Sequence, residues 1–370
     1  MAILGCRGIP ARYGGFETFA DHLSRGLVAA GVDVTVYAEG DGPDTSYEGV
    51  RVRYVKPLKI GPASAIAYDV QSLWNARKSF DVVYMLGYGA AWGCVIPRLW
   101  GTRIWMNMDG LEWARSKWHP VVRAYLRWME RLMSVVSDQV LADADAIKVH
   151  YDHHYPLGAP CTFIPYGAHG TAPDRMAYRL ANLDLMVDGY FLIVARMEPE
   201  NHILEIIEAH RQWGGQYPLV VVGDHTGLND YCRRIRQCVA PAVRFLGAIY
   251  DPAELAALRA GAFAYIHGHS VGGTNPSLLE AMWFASLVIA HDNPFNREVL
   301  GDSGLFFNSI SSLVATMQDA HDMDAASRKR LKASTQEVVN RKYQWSGVVQ
   351  NYRSLLRKDV ARCPARTTSA

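Results

Sequence analysis

Residues 262–282 read AFAYIHGHSVGGTNPSLLEAM, and this stretch decides the fold. Its apolar beginning predicts a buried strand, and a turn with two glycines follows. Pro276 then begins a helix that Thr274 or Asn275 can cap. The free N–H groups and the positive dipole end of a helix N-terminus favour an anionic or hydroxyl-bearing ligand. Glu280 lies in the next turn and a half, where its carboxylate is suited to accept hydrogen bonds from hydroxyls.

Short apolar strands alternate with helices on both sides of this stretch. The alternation begins at Ala2–Leu4 and starts again at Tyr190–Val194, and a segment without strong periodicity, 166–188, is predicted to be the linker. Residues 113–136 predict one long helix. Such alternation is typical of parallel, doubly wound sheets, so we expect an α/β chain with two Rossmann-like domains that face each other across a cleft.

The domain boundaries follow from these two arrays. We place the N-terminal domain at residues 1–170 and the C-terminal domain at residues 171–345. A helix at 346–360 is predicted to return to the first domain, and residues 361–370 are predicted to be a disordered tail.

Length and composition exclude several classes of protein. The 370 residues leave room for two domains, and a net charge of +2 gives no case for nucleic-acid binding. The sequence has neither an apolar run long enough for a membrane span nor the sections of a signal peptide. The six cysteines form no CxxC pair and no zinc pattern. We therefore expect a cytoplasmic chain with reduced thiols, without a bound metal and without a cofactor.

A second glycine-rich loop follows the first strand, where residues 5–17 read GCRGIPARYGGFE. It is not a dinucleotide fingerprint, because Gly5 and Gly8 have the wrong spacing for GxGxxG. Glu39, at the end of the second strand, resembles in position the acid that binds a ribose in such folds. A nicotinamide-dependent oxidoreductase therefore stays as an alternative.

The stretch around Glu280 resembles the family 4 (group 1) retaining glycosyltransferases of the GT-B fold. Their signature is Glu, seven residues, Glu, then Ala-Met, and Glu280-Ala281-Met282 matches its second half. Gly272 stands where the family has its first glutamate, which lies close to the donor sugar in that family. The resemblance covers nearly the whole chain. It implies an acceptor domain first and a nucleotide-sugar domain second.

Two further segments of the second domain resemble the same family. Residues 194–201, VARMEPEN, resemble a phosphate-binding turn that carries an arginine and, five residues later, a lysine. Arg196 matches the arginine and Asn201 replaces the lysine. A guanidinium suits a diphosphate because it stays charged and offers a bidentate fork. Residues 245–250, FLGAIY, resemble the turn that holds the nucleotide base through its backbone.

The first domain carries its own part of the resemblance. Residues 7–19, RGIPARYGGFETF, resemble a rhamnosyltransferase-like subgroup found in bacterial polysaccharide assembly. Gly14, Gly15 and Glu17 fit the family's contact with the donor phosphate. Asp109 and Glu112 follow a strand and are suited to orient the acceptor hydroxyl or the donor ring, although their spacing also fits a helix capping box.

A basic and aromatic segment, 117–131, follows the predicted acceptor site. Its tryptophans and arginines are suited to an anionic membrane surface, and a packed amphipathic helix with a basic outer face is the other interpretation. A lipid-linked acceptor would favour the membrane, because the sugars of such an acceptor lie at the inner face of the plasma membrane.

The resemblance implies a metal-independent, retaining glycosyltransferase. Our hypothesis is transfer of L-rhamnose from dTDP-L-rhamnose to a saccharide acceptor linked to polyprenyl diphosphate, in bacterial exopolysaccharide biosynthesis. A UDP-hexose transferase of the glucose type is one alternative, and a sugar-nucleotide epimerase or phosphorylase is another. An alternative of a different class is a regulatory partner that binds a nucleotide sugar without transfer.

Three sets of residues carry this hypothesis. The catalytic set is Asp109, Glu112 and Arg196. The donor-binding set is Gly14, Gly15, Glu17, Asn201, Gly247, Ile249, Tyr250, His269, Gly272, Gly273, Thr274, Asn275 and Glu280. The acceptor-binding set, suited to phosphate or carboxylate, is Arg12, Arg115 and Lys117.

Overall fold

The computed structural model describes residues 1–11, 14–108, 110–115, 118–170, 172–215, 217–227, 229–238 and 240–361. Within these residues the chain forms two compact units. The first unit contains Met1–Ala114, Trp118–Gly167 and the segment that begins at Trp345, and the second contains Arg115 and Ala168–Gln344. The predicted tail lies, from residue 362 onwards, outside the described residues.

The strands form two sheets, one in each unit. The strands of the first unit are β1 (Ala2–Leu4), β2 (Thr35–Glu39), β3 (Thr45–Tyr47), β4 (Val50–Val55), β5 (Val82–Leu86), β6 (Arg103–Met108), β7 (Gln139–Ala142) and β8 (Cys161–Phe163). The strands of the second unit are β9 (Phe191–Val194), β10 (Leu219–Val222), β11 (Val243–Gly247), β12 (Ala264–His267), β13 (Val288–His291) and β14 (Leu305–Phe307).

Helices separate most of these strands along the chain. In the first half they are α1 (Gly15–Ala29), α2 (Ser64–Ala76), α3 (Val95–Leu99), α4 (Pro120–Val136) and α5 (Asp145–His154). In the second half they are α6 (Met176–Asn182), α7 (Ile203–Trp213), α8 (Asp230–Gln237), α9 (Pro252–Gly261), α10 (Pro276–Trp283), α11 (Pro294–Leu300), α12 (Ile310–Asp322), α13 (Ala325–Lys342) and α14 (Trp345–Val360). Short 3₁₀ turns lie at Gly61–Ala63, Ala91–Cys94, Glu112–Ala114, Pro199–Asn201 and Gly301–Ser303.

Both sheets are parallel in almost all of their pairings. The first has the order β3-β4-β2-β1-β5-β6-β7-β8, and only the edge pair β3–β4 is antiparallel. The second has the order β11-β10-β9-β12-β13-β14, with every pair parallel. Central strands such as β5, VVYML, and β10, LVVV, are buried along their whole length, as parallel sheets covered by helices require. The predicted α/β class with two parallel-sheet domains is confirmed.

The helix predicted over 113–136 is wrong in its first third. The structure has a 3₁₀ turn at Glu112–Ala114 and begins α4 only at Pro120. Proline has no N–H to donate and fits the first turn of a helix, so it starts a new helix rather than continuing one. The side chain of His119 caps this start by accepting a hydrogen bond from Val121 N at 3.4 Å.

The predicted linker, 166–188, is also corrected, because it contains the helix α6. This helix packs against α9, and its buried residue Leu180 lies where a side chain on Gly261 would otherwise point. A helix of seven residues with one buried position has no measurable periodicity, and the sequence therefore did not predict it.

The last helix, α14, belongs to the core of the first unit. It packs against α1 so closely that a Cβ on Gly26 would lie 2.4 Å from Val349 Cγ2. The hydroxyls of Tyr352 and Tyr84 are 2.9 Å apart, and Trp105 Nε1 donates to Asp359 Oδ2 at 2.7 Å. Two buried polar contacts thus join the end of the chain to β5 and β6. Among the described residues, no helix is both long and apolar enough to cross a membrane.

Candidate functional site

The turn between β12 and α10 lies at the carboxyl edge of the second sheet, where open α/β sheets bind their ligands. Gly272 has a φ of +120°, a conformation that side chains rarely adopt. Asn275 ends the turn in an extended conformation, and its Oδ1 accepts a hydrogen bond from Ser277 N at 2.9 Å. The predicted cap is therefore Asn275, and Pro276 occupies the first helical position.

The start of α10 is tied to the neighbouring strand β9. Ser277 Oγ donates to the carbonyl oxygen of Val194 at 3.1 Å and lies 2.8 Å from the hydroxyl of Tyr265. Arg196 follows two residues after the end of β9. The helix N-terminus and this arginine are consequently held at the same edge of the sheet.

Arg196 is an exposed charge at this edge. Its side chain is 55% exposed, and its Nη1 lies 3.4 Å from Glu198 Oε1. An exposed ion pair of this length contributes little to stability. The guanidinium can therefore turn to an anionic ligand at small cost.

Asn201, which replaces the expected lysine, connects two loops. Its Nδ2 donates to the carbonyl oxygen of Arg196 at 2.8 Å, and its Oδ1 lies 2.8 Å from His269 Nδ1. Asn201 itself is buried. The amide thus orients both the turn after β9 and the turn after β12, which is a structural task that its position in the sequence did not indicate.

A second pair of amides fixes the backbone of the same turn. The carbonyl oxygen of His269 accepts hydrogen bonds from Asn293 Nδ2 at 3.1 Å and from Asn296 Nδ2 at 3.0 Å. Asn296 Nδ2 also donates to the carbonyl oxygen of His291 at 2.8 Å. The turn is therefore anchored by neutral groups from the beginning of α11.

Burial keeps the histidines of this turn neutral. It lowers the pKa of His267 to about 3, with a smaller contribution from His291. It also lowers the pKa of His269 well below its usual value, and His267 and the charges of Arg115 and Arg196 act in the same direction. These two histidines are thus uncharged near neutral pH, so the cationic charge at this turn comes from the buried Arg115 and the exposed Arg196.

Glu280 points to a partner that sequence reasoning missed. Its carboxylate forms an ion pair with Arg259, whose side chain is only 6% exposed, while that of Glu280 is 27% exposed. The signal in the sequence was a single arginine in the otherwise apolar end of α9. Because a buried guanidinium requires an anion, the carboxylate of Glu280 is the counter-ion of Arg259, and the pair fixes the position of both side chains.

The predicted base-binding turn follows β11 in the same sheet. Gly247 ends the strand with a φ of +74°, and its carbonyl oxygen accepts a hydrogen bond from Gly223 N at 2.8 Å. The Cβ of a residue at 223 would lie 2.1 Å from the carbonyl oxygen of Ala195, so the loops after β9 and β10 approach closely. Ile249 follows in the loop, and Tyr250 beyond it is 71% exposed.

In the first unit, the glycine-rich loop after β1 is held by carboxylates of the helix that follows. Glu17 Oε1 accepts a hydrogen bond from Arg7 N at 2.9 Å, and Asp21 Oδ2 accepts one from Ala11 N at 3.1 Å. Gly14 is the N-cap of α1 without a side-chain cap, and Gly15 begins the helix. Glu17, assigned to the donor site, is thus buried inside its own loop.

The residues assigned around the acceptor lie after β6. Glu112 N donates to the hydroxyl of Tyr88 at 2.9 Å and begins a 3₁₀ turn. Arg115 is buried, with Nη1 3.9 Å from Glu200 Oε1. The other three predicted residues of this region and of the first loop lie outside the described residues; they are Arg12, Asp109 and Lys117. The capping-box interpretation of residues 109–112 consequently lies outside them as well.

Nothing in the described part of the chain groups three or more histidine, cysteine or acidic residues in a way that could hold a metal ion. The edge of the second unit carries four kinds of organic group. They are an exposed guanidinium, a helix N-terminus with glycines before it, a neutral imidazole and a carboxylate. This set suits a ligand with both anionic groups and hydroxyls.

Comparison with protein families gives this set a context. Residues 185–338 match the family model described as "Glycosyl transferases group 1". This part of the chain is similar to the group 1 glycosyltransferases. Residues 1–169 match a model described as a domain of unknown function, DUF1972. No curated protein matches the chain in sequence.

Solved structures extend the likeness in fold to both units of the chain. Sucrose-phosphate synthase from Thermosynechococcus elongatus has a TM-score of 0.80 at 18% identity, over 97% of this chain and 98% of the other. Anabaena HepE in complex with UDP-glucose has a TM-score of 0.76 at 16% identity, over 96% and 98%. A glycosyltransferase from Rickettsia africae has a TM-score of 0.74 at 14% identity, over 98% and 99%. The predicted GT-B fold is confirmed.

Proposed function

We propose that this glycosyltransferase transfers a sugar from a nucleoside diphosphate to a saccharide acceptor, with retention of configuration. The observation that carries the proposal is the joint placement of Arg196 and the N-terminus of α10 at one edge of the second sheet. Both are suited to a diphosphate, and the negative charge of the leaving diphosphate grows in the transition state.

The main requirement of the reaction is stabilisation of the negative charge on the leaving diphosphate. The guanidinium of Arg196 and the N–H groups around Gly273, Thr274 and α10 stabilise the departing diphosphate. Glu280, held in place by its ion pair with Arg259, accepts hydrogen bonds from the ribose hydroxyls. The acceptor hydroxyl attacks on the face that the diphosphate leaves, and a phosphate oxygen takes its proton. Asp109 and Glu112 orient that hydroxyl.

The proposed donor is dTDP-L-rhamnose, from the likeness of residues 7–19 to a rhamnosyltransferase-like subgroup. A UDP-hexose is the second candidate, favoured by the structural likeness to HepE, whose structures contain UDP-glucose or UDP and glucose. Incubating the enzyme with each donor and a polyprenyl-diphosphate-linked oligosaccharide, with mass detection of the product, decides between them. A mass increase of a deoxyhexose supports rhamnose, and a hexose increase supports the second candidate.

A variant at the donor site tests the proposal as a whole. Glu280→Ala should lower transfer sharply, since the ribose anchor and the partner of Arg259 are both lost. Tyr178→Ala, a change of an exposed side chain elsewhere in the second unit, is the control. Unchanged transfer by the Glu280 variant would remove its proposed role. Nucleotide binding without any transfer by the native enzyme would instead favour a regulatory partner.

The outer face of α4 supports a lipid-linked acceptor at a membrane surface. Val121, Trp128 and Val135 recur at seven-residue spacing and are each at least 60% exposed. Arg131 lies exposed on the same side. Arg127 lies exposed next to this face, with its Cζ 4.4 Å from the ring centroid of Trp113. Exposed apolar side chains among arginines suit an anionic lipid surface, where each cation contributes about 1 kcal/mol.

Vesicle sedimentation tests this contact. The native enzyme should bind vesicles that contain phosphatidylglycerol more tightly than vesicles of phosphatidylcholine alone. Arg127→Ala should weaken that binding about five-fold, the equivalent of about 1 kcal/mol, whereas Tyr178→Ala should not change it. Equal binding of both vesicle types would contradict a membrane contact through this helix.

A further inference from the structure

A cleft in the first unit lies between the end of β4 and the helix α2. Its volume is about 550 Å³, which is within the range of about 300–1,000 Å³ that small-molecule sites have. Every residue that lines it belongs to the first unit. Four of them come from α2, namely Val70, Gln71, Trp74 and Asn75, and their spacing places them on one side of that helix. The cleft is therefore built by one helix face opposite the end of one strand.

The indole ring of Trp74 lines this cleft and is held from one side. Arg77 Cζ lies 4.1 Å from the centroid of the ring, and the ring of Trp100 meets it at 81°, with the two centroids 6.3 Å apart. Arg77 Cζ also lies 5.8 Å from the centroid of Trp100, so Trp100 does not lie over the face of Trp74 that is opposite Arg77. Trp74 is nevertheless 51% exposed. The cleft thus contains a flat apolar surface that its neighbours fix without covering it.

Two amide groups accompany this ring. Gln71 and Asn75 line the cleft on either side of Trp74 along α2. Gln71 Oε1 is buried and has no hydrogen-bond partner among the residues that the structure describes. A buried acceptor without a partner costs free energy, and the terminal torsion of a glutamine is soft, so this amide can turn its oxygen toward a donor in the cleft. A hydroxyl group is such a donor, and it can also accept from the N–H groups of the amides.

The charges at the cleft balance each other. Lys56 is the one charged residue among those that line it, and it forms an exposed ion pair with Asp41. Arg77 stacks on Trp74 but does not line the cleft. A phosphate or an anionic lipid surface requires unpaired positive charge, which this lining does not supply. The cleft therefore suits a neutral ligand that has both an apolar face and hydroxyl groups.

The cleft lies apart from the residues assigned to the acceptor, which follow β6. In the first sheet, β4 and β6 are separated by β2, β1 and β5. Neighbouring strands lie about 4.8 Å apart, so the four steps from β4 to β6 amount to roughly 19 Å. A ligand in the cleft is consequently a second ligand of the first unit rather than the reacting group.

We propose that this cleft is an accessory site for a neutral stretch of a saccharide chain. One sugar ring stacks on Trp74, and its hydroxyls form hydrogen bonds with Gln71 and Asn75. A sugar ring has C–H groups on its faces and hydroxyls around its rim, so it matches an open aromatic face that amides flank. The site goes beyond the proposed function and does not depend on it, since binding here requires neither a nucleotide nor transfer.

Calorimetric titration of the full-length protein with neutral tetrasaccharides tests the site. The probes are maltotetraose, cellotetraose, laminaritetraose and a tetrasaccharide of L-rhamnose, and the native protein should bind at least one of them. For that saccharide, Trp74→Ala should weaken binding about 3- to 10-fold, and Trp74→Phe, which keeps a ring, should weaken it less. Gln71→Met should weaken it about 2- to 5-fold. Trp92→Ala is the control, because Trp92 is an exposed tryptophan of the same unit that does not line the cleft.

Two results would overturn the accessory site. One is a native protein that binds none of the four saccharides, and the other is a Trp74→Ala variant that binds as tightly as the control. Weaker vesicle binding by Trp74→Ala than by Trp92→Ala, without saccharide binding by the native protein, would assign this surface to lipid instead. Thermal unfolding of each variant checks that it is folded. Because no nucleotide sugar is present in the titration, its result is independent of whether the proposed transfer takes place.

Discussion

The two glycine-rich turns of this protein, 5–15 after β1 and 267–275 after β12, are held by different kinds of groups. Both connect a buried parallel strand to a helix at the carboxyl edge of a sheet. The first is held by carboxylates of its own helix, Glu17 and Asp21, which accept hydrogen bonds from backbone N–H groups of the loop. The second is held by neutral groups from other elements, above all Asn201 and Asn296.

This difference indicates where an anion can bind within each turn. In the first turn, the carboxylates of Glu17 and Asp21 already occupy the N–H groups of Arg7 and Ala11, so these two N–H groups are not available to a ligand. In the second, neutral amides and imidazoles fix the backbone, while Arg196 stays exposed at the same edge. Because uncharged groups hold the second turn, these groups neither attract nor repel an anionic ligand.

The largest expected effect is a loss of stability at acid pH, and it arises from His267, the buried histidine at the start of the second turn. The folded-state pKa of His267 is lowered to about 3, against about 6.5 in an unfolded chain. Its contribution to stability is therefore complete above pH 6.5 and is lost as pH falls toward 3, because the unfolded state binds the proton first. At about 1.4 kcal/mol per pH unit, the loss should reach roughly 3.5 kcal/mol at pH 4 and roughly 5 kcal/mol at pH 3.

Urea unfolding between pH 7 and pH 4 checks this expectation. As the pH is lowered, the free energy of unfolding of the native enzyme should decrease more steeply than that of His267→Asn. The difference between the two isolates His267 from the carboxylates, which titrate in both proteins. If the free energies of unfolding of the two proteins changed in parallel with pH, His267 would be protonated in the folded enzyme. The groups that hold the second turn would then not all be neutral.

The next largest effect tests the ion pair of Arg259 with Glu280, which lies in the helix that follows the second turn. Arg259→Met should lower the free energy of unfolding by about 2 to 3 kcal/mol, because it leaves the carboxylate of Glu280 without its partner. We expect less than for a fully buried pair, since Glu280 is 27% exposed. The double variant Arg259→Met with Glu280→Gln should recover part of the loss in urea unfolding. No recovery would show that Arg259 stabilises the fold by packing rather than by charge.

The first turn should respond to the loss of a carboxylate. Glu17→Ala removes the acceptor of the hydrogen bond from Arg7 N and should lower the free energy of unfolding by about 2 kcal/mol. Glu17→Gln keeps an oxygen in place and should cost about half as much. Equal losses in the two variants, measured by chemical denaturation, would contradict a role for the carboxylate charge in closing the loop.

The smallest effect concerns the helix caps, which also differ between the turns. Asn275→Ala removes the acceptor for Ser277 N and should lower the free energy of unfolding by about 1 kcal/mol. Asn275→Asp should retain the cap. The start of α1 has no side-chain cap at Gly14. Gly14→Ser therefore removes no capping hydrogen bond and should not lower the free energy of unfolding for that reason. A thermal melting shift of Asn275→Asp as large as that of Asn275→Ala would contradict the capping role.

Several features could be predicted because neighbouring residues specify them. The apolar strand before His267, the glycines and Pro276 are a local pattern, and the structure has the strand, the turn and the helix there. The break before Pro120 and the helix α6 were missed, since the first looks continuous in hydrophobicity and the second is too short to be periodic.

The site was predictable only in part. Arg196 and Glu280 stand at recognisable positions in local motifs, but the ion pair of Glu280 with Arg259 joins two helices. The hydrogen bond between Asn201 and His269 joins residues that are 68 positions apart in the sequence. The motif shows that asparagine replaces lysine at position 201. It does not show which residue the asparagine contacts, because that depends on which strands become neighbours.

The sequence by itself determined the α/β class, the repeated strand–helix order and the likeness to group 1 glycosyltransferases, because hydrophobic period and turn residues act over short distances. Only the tertiary structure decided which polar groups meet. It brings β9 beside β12, and through that pairing Asn201 reaches His269. Whether a buried side chain is charged or neutral depends on such neighbours and on burial, and both arise only when the sheet has formed.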